Sequence, residues 1–261
     1  MTKEDEMKIR CYSLSLFVCL TLLLAATSAT ALTEKEILDK IDDVISAPTD
    51  STGTGIMILI DKKGKQKERR LKMWTRYYKD KDNLSLTKFI VPAEVRNLGF
   101  LSLSDEKMYL YLPAFDRIRR IASHARKESF AGSDMSNDDL STGTYSDHFD
   151  AKIVEETDQE YVLALTRKPG SDRIYPKSTA WVDKQNFCVT RMELFDENNK
   201  LWKTLNAKNE KIQGYWTMTE INMKDVQKNH QTIMKMEDLK FDVGLEDKIF
   251  SQRYLKRSVK E

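Results

Sequence analysis

From Gly55 to the C-terminal region, apolar and polar side chains alternate with a period near two, the spacing of strands that bury one face. "GIMILI" and "RRLKMW" flank the turn Asp61-Lys62-Lys63-Gly64, a hairpin signal. "NLSLTKFIV" follows, then a pair around Ser104–Glu106 in "GFLSLSDEKMYLYLP" and another turning at Thr157-Asp158 in "AKIVEETDQEYVLALTRK". Residues 178–226 hold three or four strands, with turns at 183–186, 197–199 and 213–214. "QTIMKMEDLKFDV" makes a last long strand, and "EDKIFSQRYLKR" a short helix or turn before a final strand. The pattern predicts about ten or eleven antiparallel strands, a mainly β (α+β) fold built as a sheet or barrel. A helical period appears once, in "LTEKEILDKIDDVI", where Ile37, Ile41, Val44 and Ile45 share a face. Thr33 and Glu36 form a capping box at its start, and the helix ends before Pro48.

Ahead of that helix, Lys8 and Arg10 precede the apolar run "SLSLFVCLTLLLAA" and then Ala29-Thr30-Ala31. This is the layout of a cleaved secretory signal peptide over residues 1–31, and the run is short for a membrane span. Residues 32–261 are then expected to be a single exported domain, with the periplasm as its compartment. Loss of the leader removes three basic and three acidic residues, so the net charge stays at +2. Near charge balance and export both argue against a nucleic-acid partner. Cys11 and Cys19 leave with the leader, and Cys188 alone cannot form an intramolecular disulfide.

Candidate chemistry is sparse. His124, His148 and His230 fall in no zinc-binding spacing, and no cysteine pair accompanies them. Neither a phosphate-binding glycine loop nor a nucleophile elbow is present, so the sequence calls for no cofactor and no metal. Ser146, His148 and Asp150 could be read as a hydrolytic triad, but they are neighbours along one segment, and triads are assembled by the fold. Asp134, Asn137, Asp138 and Asp139 offer oxygens to calcium without the EF-hand spacing. A helical turn capped by Ser136, with Asp138 and Asp139 at its start, fits "SNDDL" better.

The densest stretch is "YLPAFDRIRRIASHARKESFAGSDMSNDDL", residues 111–140. A strand breaks at Pro113, turns basic at Arg117, Arg119 and Arg120, passes Gly132 and ends in Asp134, Asp138 and Asp139. Arginine on an edge strand blocks aggregation. Its fork also suits a phosphate or carboxylate, from a lipid head group, an acidic partner loop or the nearby aspartates. In the last case the stretch would form a flap hinged at Gly132.

This stretch resembles a branch of the LolA-like, outer-membrane lipoprotein-sorting family. The likeness rests on Tyr111, Leu112, Pro113, Ala114, Arg117, Arg119, Arg120 and Ile121, followed by Phe130, Gly132, Ser133, Asp134, Ser136, Asp139 and Leu140. Trp181-Val182-Asp183 adds a strand ahead of a hairpin. Met135, Asn137 and Asp138 depart from the pattern. The resemblance implies a half-open antiparallel barrel, lidded by the N-terminal helix and short helical turns. Its apolar cavity would receive lipid or lipoprotein acyl chains and carry them between inner and outer membrane, without enzymatic activity. It implies an inner-membrane transporter and an outer-membrane acceptor as partners, with only transient membrane contact. A related role is that of accessory to a lipid-exporting pump of the RND/MMPL type, and a hydrolase using His148 or His124 is the remaining alternative. Within this frame, alternation places Ile58, Met73, Leu86, Leu110 and Trp181 on the cavity wall. Arg117, Arg119, Arg120, Gly132, Asp134 and Asp139 then fall on the rim and lid.

Overall fold

In the computed structural model, which describes residues 31–259, the strands make one antiparallel sheet of thirteen. The first meander is β1 (Asp50–Ile60), β2 (Gln66–Arg76), β3 (Leu84–Val91), β4 (Gly99–Ser102), β5 (Met108–Leu112) and β6 (Arg117–Arg120). The second is β7 (Phe149–Glu156), β8 (Glu160–Arg167), β9 (Lys177–Asp183), β10 (Val189–Phe195), β11 (Leu201–Ile212), β12 (Tyr215–Asp225) and β13 (His230–Phe241). Pairing of β1 with β13, from Ser51↔Phe241 to Ile60↔Gln231, welds the two meanders together. The free edges are β6 and β7, so the sheet curls as a half-open barrel and does not close. The fold is the one the alternation predicts, with more strands than expected, among them the four-residue β6, which is too short to show a period.

Local chemistry sets the corners. Asp61 Oδ1 accepts the backbone N–H of Lys63 at 2.8 Å and of Lys65 at 3.0 Å, and Gly64 takes the left-handed conformation that closes this hairpin. Helix α1 (Glu34–Ile45) begins directly after Thr33 and buries Ile37, Leu38 and Ile41. Each of these aliphatic side chains contributes about 1.5–3 kcal/mol by burial. The expected leader lies outside the described residues apart from Ala31. Among the described residues, no helix is long and apolar enough to cross a membrane.

The C-terminal segment differs from expectation. In place of a final strand it forms a 3-10 turn (Asp247–Ile249) and the short helix α3 (Gln252–Leu255), capped by Ser251. Ile249, Phe250 and Leu255 pack on Trp74, Leu86, Leu101 and Tyr111, covering the outer face of β2–β5. That part of the sheet is therefore buried on both sides, which simple alternation does not anticipate.

Candidate functional site

The inner face of the curled sheet and α1 enclose a cavity of about 420 Å³, a size typical of small-molecule sites. Leu71 and Met73 of β2, Met192 and Leu194 of β10, Leu205 of β11 and Met223 of β12 form its apolar wall, with Met234 and Met236 of β13. Six of the eleven methionines in the chain line it, counting Met135. Unbranched thioether side chains change rotamer cheaply and adapt to irregular apolar guests.

The opposite wall comes from the segment joining the two sheet edges, residues 121–148, and sets the polar groups of Asp138, Asp139, Ser141, Thr142 and Thr144 beside Phe130, Met135 and Leu140. This segment is a plug, not a flap. Phe130 stacks on Phe89 at 5.4 Å between centroids and meets Phe100 edge-on at 5.8 Å. Ser133 to Asp138 are buried. Asp134 accepts the hydroxyl of Thr232 at 2.7 Å, returns its own backbone N–H to that oxygen at 2.9 Å, and lies 2.7 Å from His230 Nδ1. Arg69 donates to the carbonyl of Ala131. Gly132 has φ +75° and open space around it, so its left-handed conformation serves a tight corner in a segment pinned on both sides.

A buried ion network holds the plug in place. Arg126, 2% exposed, donates through Nε to Asp138 at 2.7 Å and through Nη2 to Asp105 at 2.9 Å. Arg173 lies 3.4 Å from Asp105 and donates to the carbonyls of Asp138 (3.3 Å) and Gly143 (3.1 Å). Burial pushes the Asp138 carboxyl up against the pull of the two arginines. At Asp105 burial pushes the same way, but Arg173 and Arg126 outweigh it and hold the carboxyl low. Buried charges paired in this way fix one geometry, and removing a partner is costly.

The turn Asp138–Leu140 is the helical turn expected of "SNDDL". Ser136 Oγ accepts the Asp139 N–H at 3.2 Å, and Asp139 Oδ2 accepts the Ser136 hydroxyl at 2.7 Å. Helix α2 (Tyr145–His148) follows, with Thr144 as its cap. Asp42 of α1 accepts the N–H groups of Tyr145 at 2.8 Å and Ser146 at 2.9 Å, tying α1 to the polar wall. Burial pushes Asp42 up and raises the Tyr145 phenol to about 12.

Against this geometry several expected site residues move. Of the five cavity positions, Met73 lies on the wall. Ile58 sits opposite Glu68 and Ile233 on the outer face, because its neighbours Met57 and Leu59 take the inner one. Leu86 is fully buried under the C-terminal segment, and the polar Ser85 and Thr87 of the same strand face the cavity. Trp181 points outward, 4.2 Å from the guanidinium of Arg191. Leu110 stands opposite Phe100 on β5, beyond the cavity wall.

The rim arginines also lie elsewhere, because β6 is an outer edge of the sheet. Arg119 pairs with Glu128 at 2.8 Å, Arg120 donates to the carbonyl of Glu106 at 3.1 Å, and Arg117 is exposed. None of them meets Asp134, Asp138 or Asp139, whose partners are His230 and Thr232, Arg126 and Arg173, and Lys203 and Tyr175. A flap closed by that pairing does not form. Asp139 is on the cavity lining, whereas Asp134 is behind it.

Ser146, His148 and Asp150 do not assemble: the Ser146 N–H goes to Asp42, and Asp150 lies exposed on β7. His148 Nδ1 lies 3.0 Å from Ser171 Oγ instead, with Nε2 3.6 Å from Asp105. The latter distance is too long for a hydrogen bond, and Asp105 is held by two arginines. The calcium candidates diverge in the same way, since Asn137 Nδ2 donates to the carbonyl of Ala125. Among the described residues, no cluster of His, Cys, Asp or Glu has the makings of a metal site.

The comparisons agree with this architecture. A family model described as "-like: Uncharacterized protein" matches residues 81–257. No curated protein matches the chain. A DUF1329 family protein from Desulfovibrio piger is 29% identical, covering 85% of this chain and 97% of its own, with a TM-score of 0.78. A domain from Vibrio parahaemolyticus named for outer membrane lipoprotein sorting is 26% identical over 84% of this chain and 98% of its own, at a TM-score of 0.75. A LolA superfamily protein from Nitrosomonas europaea shares the fold at 21% identity, over 86% and 100%, with a TM-score of 0.70.

Proposed function

Because the chain belongs to the family whose model spans residues 81–257 and has the LolA-like fold of lipoprotein-sorting proteins, we propose that it is a periplasmic carrier of acyl chains. The cargo is a lipid or the acyl part of a lipoprotein, held in the cavity on its way between inner and outer membrane. One observation carries this reading: an apolar, methionine-rich wall faces a polar plug across about 420 Å³. Each methylene that leaves water for such a wall contributes about 0.8 kcal/mol, so a long chain supplies its own binding energy. The polar wall is suited to the other end of an amphipathic guest, because Thr142, Thr144 and Asp139 lie on it.

A carrier needs no nucleophile, and His148 is held by Ser171 beside the ion network. Uptake of a fluorescent fatty-acyl probe tests the reading. The protein is expected to take up about one probe per chain and to release it to an unlabelled long-chain competitor. His148→Ala is expected to retain that uptake. A protein that takes up no probe would refute the cavity as a cargo site.

A further inference from the structure

The hairpin β5–β6 projects the basic block away from the cavity, and its turn carries an unusual feature. Phe115, at the end of the 3-10 turn Pro113–Phe115, is 77% exposed, more than any other large apolar side chain among the described residues. Asp116 follows in the left-handed region (φ 44°), and its carboxylate accepts the Tyr111 hydroxyl at 3.1 Å. The same carboxylate lies 3.0 Å from Lys256 Nζ, so the acid at the tip is neutralised by the C-terminal segment. Arg117 on one side, and Lys256 and Arg257 on the other, are exposed. Tyr254 and Ile118 pack on the cluster beneath, so the hairpin and the C-terminal segment form one rigid projection.

We propose that this tip docks the protein onto an anionic lipid surface, with Phe115 entering the head-group layer and Arg117 and Arg257 meeting lipid phosphates. An exposed Phe buries its ring at the boundary between head groups and acyl chains. Arginine forks match phosphate geometry. One apolar element joined to a few cations gives reversible attachment. A protein partner is the poorer fit, since a stable protein interface covers about 800 Å² on each side and the tip is a single turn. Docking adds a membrane contact to the carrier reading and does not depend on cargo.

Flotation with phosphatidylcholine vesicles, with and without phosphatidylglycerol, tests the proposal. The protein is expected to float with the anionic vesicles only, and to come off as added salt screens the surface. Phe115→Ser is expected to lower the bound fraction about tenfold, and Arg117→Glu combined with Arg257→Glu to abolish it. All these side chains are exposed, so the variants keep the wild-type melting temperature and acyl-probe uptake. No flotation of the wild type, equal flotation with neutral vesicles, or wild-type binding by either variant overturns the proposal. Flotation by a protein that takes up no acyl probe would keep the docking surface and reject the carrier.

Discussion

Arg126 Nε lies 2.7 Å from Asp138 Oδ1, and both side chains are sealed from solvent. The pair stands in the middle of the segment that crosses the barrel from β6 to β7, and it fixes where the polar wall of the cavity sits. Replacing Arg126 with Ala leaves Asp138 and Asp105 buried without this partner. The expected cost is about 3–5 kcal/mol, read as a lower urea midpoint. Replacing Arg126 with Lys should recover little, because an ammonium cannot span both carboxylates as the fork does.

The two faces of the β2–β3 region give opposite expectations. Met73 faces the cavity, and Leu86 packs under Ile249, Phe250 and Leu255. Met73→Lys should abolish acyl-probe uptake while the melting temperature changes little, since a lysine there can reach toward the open side. Leu86→Ala should cost about 2–5 kcal/mol of stability and leave probe affinity unchanged while the protein is folded. Thermal melts and probe titrations on both variants check this, and a reversal would place the cavity on the wrong face of the sheet.

Much of the architecture was legible and the site less so, for one physical reason. Alternation reveals that a strand has two faces but not which one the fold turns inward. In "NLSLTKFIV" the leucines look like cavity residues, yet they face a C-terminal segment that no local pattern announces, and Ser85 and Thr87 line the cavity. The strands of "GIMILI" and "STAWVD" invert for the same reason, which moves Ile58 and Trp181 outside. Met223, Met234 and Met236 fall close together late in the sequence, and all three lie on the wall. Asp105, Arg126 and Arg173 left no trace in the sequence, because they come from separate segments and meet through tertiary structure alone.

Lys88 gives a pH signature. It is fully buried on the outer side of β3, and its ammonium donates to the carbonyls of Leu255 at 2.6 Å and of Arg257. Burial pushes its pKa from 10.5 down to about 8. Between about 8 and 10.5 the unfolded chain holds a proton that the folded protein has released, so this group makes stability rise with pH across that window. The penalty is complete below the folded value and gone above the unfolded one. Lys88→Met should flatten that part of the profile, read as the difference in urea midpoint between wild type and variant at successive pH values. Identical profiles would show that Lys88 titrates normally.

The carrier reading stands on what fills the cavity in the cell. Native mass spectrometry of the protein isolated from its own compartment without detergent, followed by organic extraction, measures that directly. The expected result is a stoichiometric adduct with the mass of a lipid or an acylated peptide, lost in Met73→Lys and kept in Leu86→Ala. A bare chain in the wild-type sample, together with no uptake of added acyl probe, would contradict it.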